Sequence, residues 1–287
     1  MSGHSYAINQ HGNIGLVQAV HYGDNVFYGN TDRPLTLKHV ALETHKKVKS
    51  EWEEYRTCDW LLRENDFQLW EKLDREVSFL WIHGRPGCGK STLMSRVIES
   101  IYHQFMEQGP ETIHLLYFYV GFGDDQEKDT LYRKMLMTFW EQATNESNQQ
   151  SINTFGNHST IELIENKLHK FLTFSKRNVY LVIDALDQLP LDSQYQILNG
   201  LTALAQKLRN ETDGSRLSVA ISSRDCNGID QLKTYRVFPI EVTAGRNKRD
   251  IEIYLQKCLE SKSKLFQKRP DLGEKVFNHL SAKADGM

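Results

Sequence analysis

Cysteine is scarce in this chain. The four residues Cys58, Cys88, Cys226 and Cys258 are scattered among 287, with no C-x-x-C pair and no histidine at ligand spacing. That pattern excludes a disulfide-stapled scaffold and a small zinc module, and it fits reduced thiols in a cytoplasmic protein. Long apolar runs are also missing. None approaches the roughly 18–20 residues that span a bilayer, so no membrane span is expected. The chain does not open on the basic-then-apolar pattern of a secretion signal. Residue 2 is Ser, where myristoylation needs Gly. Neither sign of charge dominates: 35 Lys and Arg stand against 37 Asp and Glu, a formal net charge of -2. Nothing in that balance draws the chain to nucleic acid or a membrane surface, and no nucleic-acid partner is expected. No internal repeat is visible. The length suits one large α/β domain with appendages.

What the chain does contain is concentrated in Phe79 to Leu93, FLWIHGRPGCGKSTL. An apolar, β-prone run over 77–82 leads into Gly84-Arg85-Pro86-Gly87-Cys88-Gly89-Lys90-Ser91, which is G-x-x-x-x-G-K-S. A helical spacing follows from Thr92 to Phe105, with Leu93, Val97, Ile101 and Phe105 on one face. Strand, glycine-rich turn and helix in that order form a phosphate cradle. The glycines let backbone N–H groups turn toward phosphate oxygens, and the helix start adds a positive dipole end. Residues Gly84 to Thr92 would wrap a nucleotide. Lys90 would reach its β- and γ-phosphates, and the Ser91 hydroxyl would ligate Mg²⁺.

A second signal is Val179-Tyr180-Leu181-Val182-Ile183-Asp184, an apolar run ending in a carboxylate. Strands buried on both faces of a parallel sheet read this way, and an acid at the C-terminal end sits at the ligand-binding edge. Asp184 is therefore the expected second Mg²⁺ ligand, a Walker B acid opposite Ser91. Three residues on, Asp187 either orients and deprotonates the attacking water or caps the helix near Leu191. The run Arg216 to Ser223 reads as another strand, beside that of the phosphate loop. Arg224 at its tip either points a guanidinium at the γ-phosphate or pairs with a surface carboxylate. The expectation is that tips of adjacent parallel strands bring ammonium, hydroxyl and carboxylate around one polyphosphate.

The remaining segments supply the architecture. Leu37 to Tyr55 reads as a polar helix whose Lys46, Lys47 and Lys49, followed by Glu51, Glu53 and Glu54, form a solvated face with intrahelical pairs. The Thr57 to Trp70 stretch carries aromatics and leucines that dock this linker on the nucleotide domain. Strands are expected over 112–120 and 237–242. Helices are expected over 130–143 (Leu131, Met135, Leu136 and Phe139 inward), 161–174, 193–208, 246–261 and from 274. Polar loops are expected over 121–129 and 145–159. Asn247-Lys248-Arg249-Asp250 matches N-K-x-D, the pattern with which small GTPases read guanine. Here it does not come straight off a strand, so Asn247 reads as a helix cap and Asp250 as first-turn charge. Residues 1–30 mix Gly and Asn with β-branched and aromatic residues and carry almost no charge. They form either a flexible tail or a segment able to stack as cross-β.

The Thr57-Cys58-Asp59-Trp60-Leu61 lead-in, the Leu80 to Leu93 run and Asp184-Ala185-Leu186-Asp187 resemble the NACHT domains of fungal NOD-like receptors. These are STAND-class P-loop NTPases grouped with nephrocystin-like N-terminal regions. The resemblance covers about Trp52 to Met287. It implies a three-layer α/β/α fold around a mainly parallel five-stranded sheet, preceded by a helical linker over 31–76 and the tail over 1–30. The nucleotide core then spans 77–245, and the start of a further helical region 246–287. It also implies a switch in innate immunity, heterokaryon incompatibility and programmed cell death, in which bound ATP or GTP, with ATP favoured, drives self-association. Some members carry an N-terminal motif that templates an amyloid-forming effector, and residues 1–30 stand in its place. The family continues past the Met287 position into helical, winged-helix and sensor-repeat regions, so an N-terminal portion of a longer receptor is implied. Slow nucleotide hydrolysis is compatible with this reading. Two alternatives are a P-loop NTPase or kinase acting on a small molecule and a scaffold that holds nucleotide without turnover.

Overall fold

Amphipathic helices alternate with short apolar strands along the chain, and such strands satisfy their backbone groups only by pairing with one another. In the computed structural model the described residues are 37–72, 77–109, 112–121, 128–144, 155, 159–209, 216–224, 227–262 and 270–284. The chain divides into units 1–34 and 35–287. The first lies outside the described residues, as does the assembly segment expected within it. Most of the two expected polar loops lies outside them too.

Five strands form one sheet: β1 (Ser78–His83), β2 (Ile113–Tyr119), β3 (Asn178–Asp184), β4 (Leu217–Ser223) and β5 (Arg236–Glu241). Their order is β2-β3-β4-β1-β5, and every pairing is parallel. β4 is buried along its whole length and β3 along nearly all of it, as expected where helices cover both faces. β5 alternates between exposed and buried residues and carries Pro239, which an edge strand tolerates because one side of its backbone needs no partner.

The helices are α1 (Leu37–Tyr55), α2 (Asn65–Glu71), α3 (Lys90–Gln108), α4 (Lys128–Thr144), α5 (Ile161–Ser175), α6 (Leu191–Arg209), α7 (Ala244–Ser261) and α8 (Pro270–Lys283). Residues Phe79, Phe118, Leu181, Ile183 and Ile221 turn one sheet face onto α4, α5 and α6, where Met135, Phe139, Leu168 and Leu201 are buried. Helices α2 and α3 cover the other face, and α1 lies beside α3, α4 and β2. This is the expected three-layer P-loop architecture. The linker docks as expected: Leu61, Phe67 and Trp70 are fully buried, and the Trp70 ring meets Tyr180 edge-on at 5.8 Å. Each such side chain contributes roughly 1.5–3 kcal/mol by leaving water.

Two expectations are corrected. The strand that leads into the Lys90 loop and the strand that ends in Asp184 are not neighbours, because β4 lies between β1 and β3. Apolar runs of similar length can pair in any order, so sequence order does not set sheet order. The α1 lysines do not act only within their helix. Lys46 pairs with Glu43 at 2.9 Å, but Lys49 reaches Glu99 of α3 at 2.9 Å. On the same helix His45 is fully buried.

Candidate functional site

The loop from Gly84 to Gly89 leaves β1 and enters α3, and its backbone explains its glycines. Gly89, the residue before the helix, has φ 88°, in the left-handed region. A Cβ on Gly84 would lie 3.0 Å from Cys88 Sγ and 3.0 Å from the Val242 carbonyl oxygen. The loop is therefore closed tightly enough that only glycine fits at its first position. The Lys90 ammonium folds back over the loop and donates to the carbonyls of Gly84 at 2.9 Å and Arg85 at 3.0 Å.

Asp184 ends β3, buried, on the sheet face that also carries Tyr180 and Val182. Burial pushes its carboxyl above the ordinary carboxylate range. Hydrogen bonds from Ser222, Ser91 and the Ala185 N–H, with the nearby Lys90 charge, oppose that rise. The structure thus brings Lys90, Ser91 and Asp184 together from both sides of β4. The next residue, Ala185, has φ 61° and ψ 42°, which turns the chain sharply out of the strand. Asp187 follows in a 3-10 turn, Leu186–Gln188, and its carboxylate accepts from Arg224 Nε at 2.6 Å. The two expected catalytic side chains are therefore joined to each other. In this structure Arg224 thus makes a carboxylate pairing, and its partner is Asp187.

The donor set suits a hard divalent cation. Among the described residues no group of three or more His, Cys, Asp or Glu side chains gathers as a metal cage. One hydroxyl and one carboxylate are the usual protein share for Mg²⁺, which keeps waters and takes phosphate oxygens for the rest. Ser91 and Asp184 would hold such an ion, which would neutralise phosphate charge.

A cavity of about 290 Å³ opens beside this pair. Its lining includes Ser91, Asp184 and Gln188 together with Ala41 and Thr44 of α1 and Thr138 of α4. Helix α1 is held there by polar contacts. His45 Nε2 meets Glu99 at 2.8 Å and Nδ1 meets the Tyr119 hydroxyl at 2.9 Å, while Trp52 Nε1 donates to Ser95 at 3.1 Å. Burial alone would raise the Glu99 carboxyl, but His45 and Lys49 outweigh it and hold it below its usual value. Ser95 lies one helical turn after Ser91, and Tyr119 stands opposite Asp184 in the β2–β3 register.

The N-K-x-D segment also departs from expectation. Thr243 caps α7, its hydroxyl accepting from the Arg246 N–H. Asn247 is instead buried and donates from Nδ2 to the Cys88 carbonyl at 2.5 Å, inside the phosphate loop. Asp250 accepts from the Cys58 N–H at 2.8 Å, tying α7 to the linker. Ser222 was not singled out from sequence either. Its Oγ accepts from the Ala185 N–H at 2.8 Å and donates to Asp184 Oδ1 at 2.5 Å. Its only sequence signal was its place in the Ser-Ser-Arg tip of a buried strand. Among the described cysteines, Cys58, Cys88 and Cys258 are free, and burial pushes the Cys58 thiol up to about 12.

Among solved structures, the chain is similar to the Aeropyrum pernix ORC2 protein in its ADPNP–ADP complexes, with 12% identity, a TM-score of 0.42, and 80% of this chain and 54% of that one covered. It is similar to Drosophila ORC bound to DNA, with 14% identity, a TM-score of 0.42 and 77% and 52% covered. Cdc6p from Pyrobaculum aerophilum gives 14% identity, a TM-score of 0.41 and 70% and 48% covered. The chain spans about half the length of these proteins. No protein of curated function matches the sequence. The profile of the family described as nephrocystin 3, N-terminal, matches residues 56–224, more than half of the chain, so the chain belongs to that family.

Proposed function

We propose that this chain is a nucleotide-operated switch of the NACHT type found in fungal NOD-like receptors. It would bind a Mg²⁺-associated nucleoside triphosphate, with ATP favoured over GTP, and self-associate in response. The observation that carries this reading is the convergence of Lys90, Ser91 and Asp184 at one end of a parallel sheet. Gly84 to Thr92 would wrap the phosphates, Ser91 and Asp184 would hold the metal, and Arg224 would leave Asp187 for the γ-phosphate. Asp187 would then be free to orient a water, which makes slow hydrolysis part of the proposal.

Two observations favour a switch over a simple binding module. The Arg224 guanidinium is half-exposed and tied to the mostly buried Asp187 carboxylate by one ion pair, so the arginine side can exchange partners more readily than the buried acid can. Helix α1, which follows the 1–36 segment in the chain, lines the cavity beside Ser91 and Asp184. A change at the metal site therefore has a short physical route to α1. Residues 1–30 would supply the output by templating a cell-death effector as stacked β-segments. A peptide of those residues that forms no dye-binding fibrils would remove this last part.

The test of the whole is nucleotide affinity together with solution mass. Mg·ATP should bind, bind at least as tightly as Mg·GTP, and raise the mass. Tenfold tighter guanine binding would reverse the base assignment, and an unchanged mass would leave no switch. The cavity also leaves room for a small acceptor. Rapid turnover only when such an acceptor is added would favour a phosphotransferase.

A further inference from the structure

We infer that Ser222 is the positioning residue of the site: the strand inserted between the two halves holds the metal-binding acid in place. This rests on the assignment of Asp184 as a Mg²⁺ ligand. β4 separates the phosphate-loop strand from the acid strand, so neither β1 nor its loop can brace Asp184 through the sheet ladder. Ser222 does so from β4. Its register partner on β1 is Ile82, one residue before the end of that strand.

The geometry is specific. The hydroxyl is fully buried. It takes the Ala185 N–H at 2.8 Å and gives its own proton to Asp184 Oδ1 at 2.5 Å. One side chain therefore fixes both the carboxylate and the left-handed peptide that follows it. With Oδ1 engaged, the rotation of the carboxylate about its Cβ–Cγ bond is set, and the acid is held beside Ser91 and Lys90. The same strand tip makes a second link two residues on, Arg224 to Asp187 at 2.6 Å. These links differ in kind. Ser222 is neutral and buried, and it stays engaged. Arg224 is charged and exposed, and it can leave. The tip of β4 thus anchors Asp184 while letting Asp187 go.

The test compares ATP affinity with Mg²⁺ and with EDTA for the parent, Ser222→Ala, Ser222→Thr, Ser223→Ala and Asp184→Asn. The parent should bind more tightly with Mg²⁺. Ser222→Ala should lose about tenfold of that enhancement, the scale of one charge-assisted hydrogen bond, while affinity in EDTA changes less than about twofold. Ser222→Thr, which keeps the hydroxyl, should restore the Mg²⁺ response. Ser223, the next residue on the same strand, accepts from Trp81 Nε1 at 2.8 Å, and its alanine variant should respond like the parent. Where the alanine variant does not fold, Ser222→Cys, nearly isosteric with a weak S–H donor, should show the same selective loss. The inference is overturned if a folded Ser222→Ala keeps the parent's Mg²⁺ enhancement, or if affinity falls equally with and without the metal. If Asp184→Asn keeps the enhancement too, the metal assignment itself has failed, and that result is distinct from a Ser222 failure alone.

Discussion

The two halves of the site are built to opposite rules. Lys90, Ser91, Asp184 and Ser222 form an inner half in which the acid is buried and satisfied by several donors. Asp187 and Arg224 form an outer half in which the arginine is 55% exposed and makes one ion pair. A buried carboxylate without its donors would cost several kcal/mol, so the inner half is fixed by the fold. The outer pair sets an exposed guanidinium on a carboxylate that is only 12% exposed, so it is the arginine, bound by a single partly solvated ion pair, that is free to rearrange. The contrast separates holding a nucleotide from responding to it.

The largest way to break this contrast is Lys90→Ala. It removes a charge-assisted phosphate contact and should weaken Mg·ATP binding by about 3 kcal/mol, roughly a hundredfold or more by titration calorimetry. Parent-like binding would show that the inner half is not the phosphate site.

A second test uses a buried titratable group far from the site. His114 on β2 has its imidazole pushed down to about 4 by burial and, less strongly, by Arg177. Because the folded value lies below the ordinary 6.5, the unfolded chain takes up the proton first as pH falls. Stability should therefore drop from pH 6.5 toward pH 4 and level off below it, by roughly 3 kcal/mol. His114→Gln should flatten that part of the stability–pH curve measured by denaturant melts. An unchanged slope would mean the imidazole is not shielded as its position suggests.

Third comes the brace on the phosphate loop. Asn247→Ala leaves the Cys88 carbonyl without its donor in a buried place and should cost about 1–2 kcal/mol of thermal stability. Nucleotide should recover part of that loss by holding the loop directly. The smallest effect is expected at Arg224→Ala. Stability should change by less than about 1 kcal/mol, while the preference for triphosphate over diphosphate narrows several-fold. A large stability loss there would erase the distinction between the halves.

Much of the architecture was legible along the chain. The helix over Leu37–Tyr55 and strands close to 78–83, 113–119 and 178–184 follow from apolar periodicity and glycine punctuation. The phosphate loop was legible because its chemistry is written in contiguous residues. Ser222, Asn247 and His45 were harder to read for one reason: each acts on a residue far away in sequence. Asn247 contacts Cys88 across 159 residues and His45 contacts Glu99 across 54. Local patterns assign a polar residue at a helix start to capping and one on a helix flank to solvent. Tertiary packing overrode both assignments.

The sequence by itself determined the strands and helices, the loop that turns its amides inward and the residue types able to hold phosphate and metal. These depend on backbone propensity and on neighbours within a few positions. Only the tertiary structure decided that β4 would stand between β1 and β3, that a serine on it would hold Asp184, and that α1 would line the cavity beside the acid. Those outcomes depend on which apolar faces find each other once loops close, and that is settled by burial over the whole fold and not by any single stretch of chain.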